Sequence, residues 1–221
     1  MIRCAGTYLH LPHFRIIVRR MGTTGNADRI LRLASERGLV RARDLAGHQI
    51  PRATLSRLVA SGRLVQISRG LYALPKHSRS EQYQLAEIAA RTPHGVFCLL
   101  TALRFHELTT QSPHDIWLAI PNKARPPKLE YPPLRVVRFS GQALTKGVET
   151  HIVDGVTIRV YSVAKTVADC FKYRNKTGLD VALEALRESR REKRATNDEL
   201  WRYAKICRVA NVMRPYMESL E

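Results

Sequence analysis

Residues 41–75 read RARDLAGHQIPRATLSRLVASGRLVQISRGLYALP, and this stretch decides the fold of the first part of the chain. Proline fits the first turn of a helix, because its missing N–H has no intrahelical partner there, so a helix is predicted to open at Pro51. Leu55, Leu58 and Val59 recur at i, i+3 and i+4 and form one apolar stripe, which Gly62 ends. The opposite face carries Ala53, Ser56, Arg57 and Ala60, flanked by Arg52 and Thr54. Small residues set among arginines suit close approach to a base edge or a phosphate. Ala42 to Gly47 is predicted as a short preceding helix that packs Leu45 and Ala46, with His48-Gln49-Ile50 as the turn between the two. Beyond Gly62, Leu64, Val65 and Ile67 pair with Leu71, Tyr72 and Leu74 across a turn containing Arg69 and Gly70, where glycine supplies a positive φ. The outline is a winged helix-turn-helix with a basic wing tip. Such modules also serve in protein contacts, but a recognition face without an acidic residue favours DNA.

Outward from this stretch, an N-terminal helix capped by Asn26 or Asp28 carries Ile30, Leu31, Leu33 and Ala34 to Gly38. The predicted organisation is a flexible basic extension over 1–23, the winged module over 24–76, a linker at 77–80 and a second domain over 81–221. The extension reads as an upstream translation start or a basic arm, and its apolar run Ile16-Ile17-Val18 is too short to span a membrane.

The second domain opens with an amphipathic helix from Glu81, then a helix from Cys98 to Glu107. Ile116-Trp117-Leu118-Ala119-Ile120 is continuously apolar and reads as a central strand. Residues 121–133 are rich in proline and charge and read as an exposed loop. Strands follow at Leu134–Phe139, Glu149–Val153 and Val156–Tyr161, with Asp154-Gly155 as a hairpin turn. Ser162 is predicted to cap a helix carrying Val163, Val167, Ala168 and Phe171, broken at Asn175 to Gly178. Leu179–Arg191 is the next helix, Thr196 with Glu199 forms a capping box, and a last helix near Asn211 takes Pro215 in its first turn. The class is α+β, a small sheet wrapped by helices.

The 221 residues carry a net charge of +18 and 44% hydrophobic residues, a globular chain that favours a polyanionic partner. Residues 24–76 hold ten basic and three acidic side chains, the highest positive density among the globular segments. Four dispersed cysteines, without a CxxC pair, read as reduced core thiols of a cytosolic protein. Eight scattered histidines give no metal-ligand spacing, and neither a metal nor a cofactor is expected. Asp115, Asp154 and Asp169 each lack a second acid at short spacing, and no phosphate-cradling glycine motif or Gly-x-Ser-x-Gly occurs, so catalysis is not expected. Lys165, Asp169 and Lys172 fall on one helix face and read as an exposed ion pair worth a few tenths of a kcal/mol. Arg187 to Arg194 reads as a solvated helix end.

Three blocks then carry a resemblance: GLVRARDLAGHQIPRATLSRLVASGRLVQISRGLYAL (38–74), CLLTALRFHELTTQSPHDIWLAI (98–120) and VTIRVYSVAKTVADCFKYRNKTGLDVALEALRE (156–188). In this order, over roughly residues 24–195, the chain resembles the AbiEi antitoxins of type IV abortive-infection toxin–antitoxin systems. The resemblance implies a non-enzymatic bacterial antitoxin whose winged domain binds inverted repeats in its own promoter. Its second domain would counter a nucleotidyltransferase-type toxin and assist cooperative repression. The implied DNA contacts are Arg52, Arg57 and Arg69, alongside Ala53, Thr54 and Ser56 of the same face; Lys165, Asp169 and Arg174 lie in the family-like block as toxin-related or backbone-contacting positions. The rival readings are a ligand-sensing regulator, marked by an apolar pocket with convergent polar groups, and a winged-helix nuclease or phosphotransferase, marked by carboxylates converging near Asp115 or Asp169.

Overall fold

The computed structural model describes residues 25–48, 50–75, 81–111, 114–127 and 133–220. The predicted extension, the 77–80 linker, and the middle of the proline-rich loop lie outside these residues. Helix α1 (Asn26–Arg37) buries Ile30 and Ala34 against Leu55 and Leu58 of α2 (Arg52–Ala60). Gly38 ends α1 at φ +71°, while Gly25 takes the cap position, so neither Asn26 nor Asp28 caps through its side chain.

The predicted helix over 42–47 does not form. Strand β1 (Leu39–Arg41) is followed by turns and one 3-10 turn, Ala46–His48. The local backbone bonds here, among the described residues, are of the i to i−3 kind, Asp44 N–H to Arg41 O, Ala46 N–H to Arg43 O and His48 N–H to Leu45 O, at 3.0–3.2 Å. Six residues ending in glycine supply too few i to i−4 bonds to offset helix nucleation, so the tighter turn wins. Leu45 is buried as predicted, whereas Ala46 is exposed.

β1 completes a three-stranded sheet with β2 (Val65–Ser68) and β3 (Leu71–Ala73), in the order β1-β3-β2. Alternation sorts the side chains: Val40 and Tyr72 enter the winged core, while Leu39, Leu71 and Ala73 face the other way into a cluster with Tyr83, Leu85, Ala86 and Ile88 of α3 (Glu81–Arg91).

The remaining chain builds a five-stranded mixed sheet, β6-β5-β4-β8-β7, from β4 (Val96–Phe97), β5 (Ile116–Pro121), β6 (Leu134–Phe139), β7 (Val148–Val153) and β8 (Val156–Tyr161). The all-apolar β5 is interior because both faces of the sheet are covered. Ile116, Leu118 and Ile120 point to the layer containing α3, and Trp117 and Ala119 to the opposite layer. That opposite layer holds α4 (Leu99–Phe105), α6 (Val163–Lys172), α8 (Leu179–Arg191), α9 (Asn197–Cys207) and α10 (Ala210–Glu218), with one-turn helices α5 (Gln142–Thr145) and α7 (Arg174–Thr177) between. Asp154 and Gly155 both take positive φ, +48° and +68°, as a type I′ hairpin turn requires. Both halves of the Thr196/Glu199 capping box are formed.

Several local predictions are corrected. Ser162 occupies the cap position of α6, but its Oγ makes no capping bond. Because α10 starts at Ala210, Pro215 falls in its second turn instead of its first. The 187–194 segment is not simply solvated: Ser189 is buried, Arg190 donates to Met217 O, and Arg194 donates to His106 O at 2.6 Å. Among the described residues, no helix is long and apolar enough to cross a membrane.

Candidate nucleic-acid interface

The amphipathic stripe of α2 fixes its orientation. With Leu55 and Leu58 buried beneath it, geometry at 100° per residue turns Arg52, Ala53, Ser56 and Arg57 outward, all exposed, with Thr54 half-buried at the edge. Pro51 sits at the cap, with extended backbone, immediately before the first helical residue. Gly62, at φ +69°, closes the C-terminal end, and the N–H groups of Arg63 and Leu64 both reach Leu58 O at 2.9 and 3.1 Å. The helix is therefore pinned at its distal end while its N-terminal arginines remain in solvent.

The wing stands beside it. Gly70, at φ +76°, makes the turn, and its carbonyl accepts from Ala42 N–H at 2.8 Å, which ties the wing to the segment after β1. The register slips between Gln66 and Ser68, a bulge next to the exposed Arg69 tip. Between the N-terminus of α2, the wing and the end of α3 lies a cleft of about 670 Å³. Five arginines line it, Arg41, Arg43, Arg52, Arg69 and Arg91, and among the described residues no carboxylate lines it, although Asp44 lies 3.8 Å from Arg43.

Three of these five, Arg41, Arg43 and Arg91, were not singled out from the sequence. Arg41 and Arg43 sit in the segment predicted as a helix, and strand pairing instead places Arg41 opposite Leu71, on the sheet face that looks toward α3. Burial and the adjacent Arg43 both disfavour the charged form of Arg41, Asp44 opposing them weakly, and its buried Nε has no hydrogen-bond partner among the described residues. An anion entering the cleft would relieve both penalties. Arg91 comes from the second domain; it donates to Ile67 O in β2 at 2.9 Å and pairs with Glu87 at 2.6 Å, bracing the wing. The only signal for Arg91 was its place at the end of an amphipathic helix, which says nothing about the wing.

Lys165, Asp169 and Arg174 are not part of this face, and the exposed pair expected of the first two is corrected. α6 runs between the sheet and helices α8 and α9, so every residue from Val163 to Phe171 is buried. Lys165 and Asp169 are 0% and 1% exposed and ion-paired, the ammonium lying 4.1 Å over the Tyr161 ring and 4.7 Å over Phe139. Cys207 donates its thiol proton to Asp169 Oδ1 at 3.2 Å. Burial pushes the Asp169 carboxyl up, against the pull of Lys165 and Cys207, and burial with Asp169 raises the Cys207 thiol to about 12. Arg174 donates to Phe171 O at 3.0 Å and is half-buried. Asp115 pairs with Arg135, and the acids of Asp115, Asp154 and Asp169 do not converge. Cys98, Cys170 and Cys207 are free buried thiols, as predicted.

Comparison with curated proteins gives no match. Among solved structures, the crystal structure of the RV2827C protein from Mycobacterium tuberculosis is similar over 81% of this chain and 71% of that one, with a TM-score of 0.53 and 15% identity. At that identity the likeness concerns the fold alone, and it spans both the winged and the sheet-bearing parts. The family described as "Transcriptional regulator, AbiEi antitoxin" matches residues 28–75, the segment that forms α1, α2, the wing and most of the arginine cleft. Residues 28–75 of this chain are therefore similar to an AbiEi antitoxin transcriptional-regulator domain.

Proposed function

We propose that the chain is a DNA-binding autorepressor and antitoxin that acts without catalysis in the cytoplasm. The observation that carries this reading is the arginine-rich surface made by α2, the wing and the cleft between them, with no carboxylate among the described residues that line the cleft. Arg57, Ser56 and Ala53 enter the major groove, Arg52 and Thr54 sit at its edge, and Arg69 reaches the flanking backbone. Arg41 and Arg43, with Arg91 beneath, take a phosphate. Phosphate neutralisation then supplies most of the affinity and makes it salt-dependent. The target is an inverted repeat in the chain's own promoter, occupied cooperatively by two copies, and the sheet-bearing domain counters a nucleotidyltransferase-type toxin.

The ligand-sensing alternative required an apolar pocket with a few polar groups, whereas the cleft beside the wing and a recess on the sheet-bearing domain are rich in arginine and lysine among the described residues. The test begins with gel-shift titration of DNA upstream of the chain's own gene. Arg57→Glu weakens binding by well over tenfold with an unchanged circular dichroism spectrum, because the residue faces solvent. Arg69→Ala lowers the slope of log affinity against log salt by about 0.9, the loss of one phosphate contact. Full-length Arg57→Glu/Arg69→Glu protein, co-expressed with the product of the adjacent gene, still rescues growth. Unchanged DNA binding removes α2 from the recognition role, and absence of rescue by folded protein removes the antitoxin role.

A further inference from the structure

A second basic recess, of about 490 Å³, lies on the sheet-bearing domain, walled by the end of β6, the 140–143 turn, the last residue of α6 and the end of α9. Its cations are Arg138, Lys172, Lys205 and Arg208, brought together from three separate elements, and among the described residues no carboxylate lines it. Arg138 is held in place by donating to the carbonyls of Pro121, Asn122 and Ala124. Lys172, Lys205 and Arg208 are exposed, and among the described residues no carboxylate pairs with them. The acid that would quench this charge, Asp169, lies one turn before Lys172 but is buried and already bound by Lys165 and Cys207. Cys207 sits between Ile206 and Arg208, so the same bond anchors the rim of the recess.

Arg208 is the second sign that this is a built site. It caps α9 with left-handed backbone, φ +59° and ψ +43°, its N–H bonded to Lys205 O at 3.1 Å. That position favours glycine, and a long side chain held there points to a use for the guanidinium.

We propose that this recess binds a phosphate-bearing small molecule of nucleotide size, at a site separate from the DNA face. Its volume falls within the range of small-ligand sites, and its four cations converge on one recess. A duplex passing the surface presents successive phosphates and calls for cations set out in a row.

Isothermal calorimetry on the full-length protein in phosphate-free buffer tests it, with ADP and pyrophosphate as probes and a duplex of the upstream DNA as comparison. ADP and pyrophosphate give saturable binding, which Lys172→Gln and Lys205→Gln each weaken roughly tenfold or more by removing a charge-assisted bond. Arg208→Gly deletes the guanidinium while relaxing the backbone, so affinity falls by a similar factor while the melting temperature holds or rises. Duplex affinity through Arg57 is unchanged in these variants. Absence of saturation at millimolar ADP and pyrophosphate overturns the proposal, as does binding that survives all three substitutions. Loss of duplex affinity in the lysine variants without ADP binding also overturns it and assigns the recess to the DNA backbone.

Discussion

Replacing Lys165 by methionine removes, among the described residues, the one cation bonded to a carboxylate that is 1% exposed. Methionine is close in length and can lie against the Tyr161 and Phe139 rings that the ammonium now faces at 4.1 and 4.7 Å, so little cavity is created. What is lost is the partner of Asp169, which then keeps only the Cys207 thiol. Removing one member of a buried pair costs about 3–5 kcal/mol, because the surviving charge must stay desolvated or take up a proton. For a chain of this length each kcal/mol moves the midpoint by about 2–4 °C, so Lys165→Met melts roughly 6–20 °C below the wild type. In Lys165→Met/Asp169→Leu neither charge remains, and stability returns to within about 1 kcal/mol of the wild type or exceeds it. Urea titrations of the four proteins of this cycle, read by tryptophan fluorescence, give the coupling energy directly. A Lys165→Met cost below about 1 kcal/mol, or additive costs in the double variant, refutes the idea that the pair is held as a desolvated unit.

Further measurements address other parts of the molecule. Gly155→Ala forces a positive φ of +68° on alanine and sets its Cβ 3.0 Å from Arg37 Cβ, where the β7–β8 turn meets the end of α1; chemical denaturation should register a loss of about 1–2 kcal/mol. Thr196→Ala removes the half of the capping box in which the threonine hydroxyl accepts from Glu199 N–H, leaves the bond from the backbone N–H of residue 196 to the Glu199 carboxylate, and costs about 1 kcal/mol, whereas Thr196→Gly costs less than its loss of side chain implies. His106 is buried with Nε2 2.7 Å from Tyr161 O, and burial lowers its pKa below 6.5. The unfolded chain therefore takes up the proton first, so this contribution is complete above pH 6.5 and is lost as pH falls below it. His106→Gln, which can still donate to Tyr161 O, flattens that part of the stability profile; an unchanged profile in melting experiments assigns the acid sensitivity elsewhere.

The legible parts of this sequence were those in which a local signal and the tertiary environment agree. The α2 stripe, the Gly62 and Gly70 stops, the Asp154-Gly155 turn and the Thr196/Glu199 box each state their geometry within a few residues. The apolar run of β5 likewise announces a strand covered on both faces. The first helix of the expected pair failed because Leu45 signals burial without signalling the state of the backbone, and six residues around Gly47 cannot sustain a helical ladder. β4 escaped notice because two residues, Val96 and Phe97, carry no period. The misreading of Lys165 and Asp169 has a different origin. Spacing of four places two side chains on one helix face but does not say whether that face meets water, and α6 is enclosed on all sides. For the proposed DNA surface, Arg52, Arg57 and Arg69 could be read from one helix and one turn, whereas Arg41, Arg43 and Arg91 depend on pairing and packing between segments far apart in the chain.

The three-stranded sheet of the winged module packs on both faces, with Val65 and Gln66 of its edge strand β2 left exposed. Val40 and Tyr72 look into one core, Leu39, Leu71 and Ala73 into the other, and Arg91 is hydrogen-bonded to the backbone of β2. Such a sheet works as a party wall: neither neighbour can be demolished without breaching the other. A single calorimetric transition for the whole molecule is the expected outcome. A tilt of α3 would reach the wing through this packing and through the Arg91 bond to Ile67 O.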